Sequence, residues 1–230
     1  METEIKGGKA FSYLNVNLAP GETIIAESGA MSSMAPDVEL RAKTNGGFWR
    51  ALLRKLFGGE SFFISHYTNQ SGGSRRITFV QSTPGQMQYL DLEQNDRFCL
   101  QPGALIASSE GVKLGLRWAG FISWLAREGL FKLVVSGKGR VWYGACGALV
   151  EKMIDGEYIV DTSHLVAYSP SLRLRMRRSG GEGGVTRVVG KGKLVVQTRS
   201  VRSISEWVNP NLPPGGAIGS AERSANSEQG

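Results

Sequence analysis

The chain is 230 residues long, 41% hydrophobic and 20% charged, with a net charge of +7 and two cysteines. That is enough apolar material for a packed core, too few cysteines for a disulfide framework, and no stretch nears the ~18 consecutive apolar residues of a spanning helix. The opening Met1-Glu2-Thr3-Glu4-Ile5-Lys6 lacks the basic-then-apolar pattern of an export signal, so the expectation is a cytoplasmic protein with no transmembrane segment.

In chain order, the first block is Leu18-Ala19-Pro20-Gly21-Glu22-Thr23-Ile24-Ile25-Ala26-Glu27-Ser28-Gly29-Ala30, and it recurs without a gap as Leu92 to Ala104. A third copy runs from Met153 to Leu165, so internal repetition organises the chain. Each copy offers an apolar residue, a turn pair (Gly21-Glu22, Asn95-Asp96, Gly156-Glu157) and then an alternating strand; Gly and Asn tolerate positive φ, and the acids stay solvated. These pairs read as hairpin corners. Further along each unit a Gly-rich turn, at Gly72-Gly73, Gly137-Lys138-Gly139 and Gly190-Lys191-Gly192, precedes a closing strand. No helix pattern follows to make a phosphate cradle, so these too read as hairpin turns.

Two segments break the β rhythm: Phe48 to Phe57 in the first unit and Trp118 to Arg127 in the second read as short helical insertions. Trp49, Phe57, Trp118 and Trp124 there stand beside basic residues, the composition of a subunit interface or a membrane contact. The third unit lacks this insertion. Instead, Leu172, Leu174 and Met176 alternate with Arg173, Arg175 and Arg177, followed by Arg178. Period two puts the apolar groups on one face and the cations on the other, about 6.6–7 Å apart. The charge excess lies here: residues 144–205 hold ten Lys and Arg against five Asp and Glu, whereas 1–83 hold nine against seven and 84–143 seven against five. That face is read as a site for an anionic partner or as a solvated surface. Nucleic acid is disfavoured, because no RNA-binding aromatic motif accompanies it.

Catalytic constellations are not legible. His66 and His164 are the only histidines, neither lies at a metal spacing with Cys99 or Cys146, and no nucleophile elbow accompanies Asp161 and His164. No cofactor or metal is expected, and the cysteines read as two free, buried thiols.

The runs Gly58-Gly59-Glu60-Ser61-Phe62-Phe63, Leu100-Gln101-Pro102-Gly103-Ala104-Leu105 and Val160-Asp161-Thr162-Ser163-His164-Leu165-Val166-Ala167 resemble the altered inheritance of mitochondria 24 family, in matching order over about residues 10–200. The resemblance implies a fold like that of the tryptophan RNA-binding attenuation protein: antiparallel sheets of the double-stranded β-helix type around a pseudo-threefold axis. Eukaryotic relatives act in mitochondrial inner-membrane organisation without an established catalytic reaction, and bacterial members are largely uncharacterised. Without a visible presequence, mitochondrial placement does not carry over; nor does tryptophan or RNA binding, because a shared fold does not transfer a site.

The expected architecture is therefore all-β: one domain over 1–208, built of three tandem antiparallel units at about 10–83, 84–143 and 144–205, with a disordered tail over 209–230. The expected function is a non-enzymatic scaffold or binding protein that self-associates as a homo-oligomer and sits at a membrane surface or on a protein partner. The alternative is a binder of an anionic small ligand or nucleic acid through Arg173, Arg175, Arg177 and Arg178.

Overall fold

The computed structural model describes residues 1–43, 64–101, 103–118, 131–179 and 183–211. Strict alternation builds the first strands. In β2 (Tyr13–Leu18), Leu14, Val16 and Leu18 are buried, while Asn15 and Asn17 face outward. Opposite lies β7 (Arg75–Val80), where Thr78 donates to Asn15 Oδ1 and Arg76 to Asn17 Oδ1, so the wet face carries its own polar ladder. Outside β2 lies β1 (Glu2–Lys6), and beyond β7 lies β4 (Met31–Met34), completing a sheet in the order β1-β2-β7-β4.

The second sheet contains β3 (Thr23–Glu27), β5 (Val38–Lys43), β6 (Ile64–Asn69), β8 (Met87–Leu92), β10 (Leu105–Ser109) and β13 (Gly139–Gly144), in the order β5-β6-β3-β10-β13-β8. The third contains β9 (Arg97–Leu100), β11 (Val112–Trp118), β12 (Phe131–Gly137), β14 (Leu149–Asp161), β15 (Leu165–Tyr168), β16 (Arg173–Ser179) and β17 (Gly183–Gln197). Its order is β11-β12-β9-β15-β17-β14, with β16 on β17. Among the described residues every strand pairing is antiparallel, and the sole parallel contact is an isolated bridge between Gly85 and Gly147. The described residues are thus all-β with one short α-helix near their C-terminal end, as expected of the fold class.

β2 and β3 do not pair with each other. They belong to different sheets and pair with β7 and β6, so Gly21-Glu22 is a corner where the chain passes between sheets, not a hairpin turn. Facing it, the Gly72-Gly73 segment turns the partner strands through the same corner, and Asn69 joins the two: its Nδ2 donates to Leu18 O and Gly73 O, both at 2.8 Å. The Gly137-Lys138-Gly139 segment likewise passes from β12 in the third sheet to β13 in the second. Around residues 156 and 190 no break occurs, since β14 and β17 pair continuously from Leu149↔Gln197 to Asp161↔Val185, with Gly156 opposite Gly190. Gly156 sits at φ 111° and Gly190 at φ 131°, so the ribbon turns on two glycines without leaving the ladder. The alignment of Met153 with Leu18 and Leu92 is corrected accordingly: Met153 is 75% exposed, and its neighbour Ile154 takes the buried position.

The described residues form three cores. Leu14, Ile24, Ile77 and Phe79 enclose Trp142 in the first; Leu100, Leu133, Val141 and Val195 fill the second; Cys99, Val188 and Leu194 lie in the third. Leu194 and Val195 are adjacent and fully buried on opposite faces of β17, so that strand ties the second core to the third. Residues 48–57, 119–127 and 212–230 lie outside the described residues. Two features were not anticipated: α1 (Val201–Val208), started by a capping box between Ser200 and Ser203, and a 3-10 turn at Asn209–Asn211, in a stretch read as holding no regular element.

Candidate functional site: the cationic face of β16

β16 receives its geometry from β17. Arg173 lies opposite Val189, Arg175 opposite Arg187 and Arg177 opposite Val185. Leu172 is buried, Leu174 is packed against the third core, and Arg173 and Arg175 are exposed, so the period-two expectation holds for these four. Arg178 lies in register with Gly184.

The charges next to this row are compensated. Across β17 and β14, Lys193 pairs with Glu151 at 2.8 Å, Lys191 with Asp155 at 2.9 Å and Arg187 with Glu157 at 2.7 Å. Arg173 and Arg175 form no ion pair among the described residues. Arg175 also faces a like charge, Arg187, directly across the ladder, a placement that costs stability. Ile159, on β14 opposite Arg187, is 60% exposed and adds an apolar patch beside the cations.

The other expected sites fare differently. Trp118 ends β11 in register with Phe131, while Trp49, Phe57 and Trp124 lie outside the described residues. His164 Nδ1 lies 2.7 Å from Gln197 O, a backbone tie. Asp161 Oδ1 accepts from Ser163 N and Oγ, so these three groups serve a local turn. The recurring acids are structural as well. Glu22 accepts from Ala19 N and Asp96 from Glu93 N, each capping its own corner, whereas Glu157 pairs with Arg187. Hydrogen bonds from the terminal amine and Ala19 hold the Glu22 carboxyl below the usual range. Both cysteines are buried and neither forms a disulfide among the described residues, and burial pushes the Cys146 thiol up.

A cleft of about 500 Å³ that sequence reasoning missed lies between β1 and the middle strands, lined by Thr3, Asp91, Glu93, Lys138 and Arg140 over buried Trp142. Its strongest charges already satisfy each other: Arg140 binds Asp91 through two hydrogen bonds, of 2.6 and 2.9 Å, and stacks 4.0 Å from the Tyr89 ring centroid. No local motif joins these residues in the sequence; register alone brings them together. Also missed was the exposed apolar surface of α1, where Val201, Ile204 and Trp207 are 57, 39 and 74% exposed.

Comparison with known proteins agrees with this architecture. A curated relative, an uncharacterized protein of Streptococcus pyogenes serotype M6, is 25% identical, with 93% of this chain and 92% of that protein covered. A crystal structure of a Streptococcus pyogenes protein superposes with a TM-score of 0.75 at 23% identity, covering 92% of this chain and 99% of the other, which shows a shared fold. The family model described as mitochondrial biogenesis AIM24 matches residues 3–199. With nearly the whole chain matched, from β1 through the end of β17, the protein belongs to the AIM24 family.

Proposed function

We propose that the protein works by binding rather than by catalysis, as a scaffold that engages an anionic partner through Arg173 and Arg175. The observation that carries this is the local charge balance: the cations of β17 are matched by acids of β14, while Arg173 and Arg175 of β16 have no acid partner among the described residues. Long-range attraction to such a patch is screened within about 8 Å at physiological salt, so binding is salt-sensitive. In vesicle co-sedimentation and fluorescence anisotropy, the expected result is saturable binding of phosphatidylserine vesicles, poly-glutamate or an oligonucleotide that weakens with added salt and is lost in R173Q/R175Q. Failure of all three probes at low salt overturns the reading.

We read the three thirds as copies of one unit around a pseudo-threefold axis. In support, first and last strands pair in each: β2 with β7, β8 with β13, and the halves of β14 and β17. A register shift also recurs in β4, β10 and β15.

Self-association is a second part of the proposal, favoured by the exposed Val201, Ile204 and Trp207 of α1. Sedimentation velocity should show a concentration-dependent larger species that I204D/W207S abolishes; an unchanged monomer across concentrations contradicts it.

A further inference from the structure

The charge imbalance and the sheet topology meet at one strand. β16 pairs with β17 and with no other strand among the described residues, so its outer edge presents backbone N–H and C=O groups that a further strand can bind. An edge of this kind is usually guarded by charge. The edge strand β14 shows such a guard with both signs, Glu151, Lys152, Asp155 and Glu157. The charged residues of β16 are all arginines, so it repels cationic edges and attracts acidic ones.

We propose that β16 is a docking edge for an extended acidic peptide segment of a partner protein, added as a strand with alternate carboxylates beside Arg173 and Arg175. This rests on the anionic-partner reading and narrows it. Alternate residues on an added strand recur at about 6.6–7 Å, the spacing of Arg173 and Arg175, so carboxylates at every second position meet the cations one for one. An acidic strand on the free side also gives Arg175 a counter-charge that Glu157, spent on Arg187, does not supply. The intervening residues of the peptide fall on the side of Leu174, which packs against the third core, so they are apolar. Main-chain hydrogen bonds supply affinity and the alternating side chains supply specificity. A lipid headgroup or a nucleic-acid backbone uses the cations but not the strand edge.

Fluorescence anisotropy on the full chain separates these cases with three labelled peptides: alternating Glu and Val, the same composition with Glu in one block, and alternating Glu and Pro. The alternating Glu-Val peptide should bind about tenfold more tightly than the other two, roughly what two cross-strand charge pairs and the lost backbone bonds supply. R173Q/R175Q, with an unchanged circular dichroism spectrum, should remove that advantage, and hydrogen exchange at residues 173–179 should slow on binding. Equal affinity for all three peptides overturns strand addition while leaving the anionic-partner reading standing. Binding of phosphatidylserine vesicles or an oligonucleotide without binding of any acidic peptide also overturns the inference alone. Binding of no anionic probe overturns both.

Discussion

Asn69 shows how much one side chain can carry. It is fully buried, donates to two carbonyls across the first corner, and accepts through Oδ1 from Ser71 N and Oγ. Removing it deprives the buried Leu18 carbonyl and the part-buried Gly73 and Ser71 groups of these bonds at once. N69A should therefore cost about 2–3 kcal/mol in urea unfolding, and a loss below about 0.5 kcal/mol would show the corner to be held otherwise. Asp91 is the contrasting case. Arg140 holds its carboxyl below the ordinary range, so the pair stabilises the fold above that range and loses its contribution as pH falls through the lowered value. The pair is largely exposed, and D91N should cost under about 1 kcal/mol at neutral pH, a difference that disappears at acid pH. For Cys146, a raised thiol pKa and burial predict slow reaction with a disulfide reagent near pH 8, accelerating once urea unfolds the chain.

Among elements, the corners decide the architecture. Gly85 and Gly147 form a parallel bridge between the segments that lead into β8 and β14, and a Cβ on Gly85 would collide with the carbonyl of Ala145. G85A should lower stability more than any exposed substitution, by about 2–4 kcal/mol. The strands themselves were legible because alternation is local: Leu14, Val16 and Leu18 announce a half-buried strand without reference to anything else. Partnership was not. Gly21-Glu22 and Gly190-Lys191-Gly192 look like hairpin turns, because two-residue and Gly-X-Gly signals report chain reversal or bending without saying which strand lies alongside. Met153 was misplaced for the same reason, since a one-residue change in register exchanges exposed and buried positions. α1 escaped notice because its eight residues, two of them serines, span only about two turns, too short for the spacing of Val201, Ile204 and Trp207 to stand out before the Ser200 cap is seen.

At the scale of the molecule, the composition already placed the cationic excess in residues 144–205, and Arg173 and Arg175 were identifiable by alternation alone. What the sequence could not supply was the contrast that gives them meaning. Lys191, Lys193 and Arg187 belong to the same excess, yet strand register matches them with Asp155, Glu151 and Glu157, and only the fold separates compensated cations from the rest. The cleft at Asp91 and Arg140 illustrates the reverse, a polar concavity built from distant segments whose main charges are already satisfied.

The central claim is that Arg173 and Arg175 of β16, which form no ion pair among the described residues, hold an anionic partner. The most direct measurement is the salt dependence of poly-glutamate binding to the wild-type chain, to R173Q/R175Q, and to K191Q/K193Q, whose cations are already paired. The account predicts that affinity falls as salt rises in the wild type, that R173Q/R175Q loses both the affinity and the salt slope, and that K191Q/K193Q keeps most of each. Equal losses in the two double variants would contradict it, because binding would then follow total charge rather than Arg173 and Arg175.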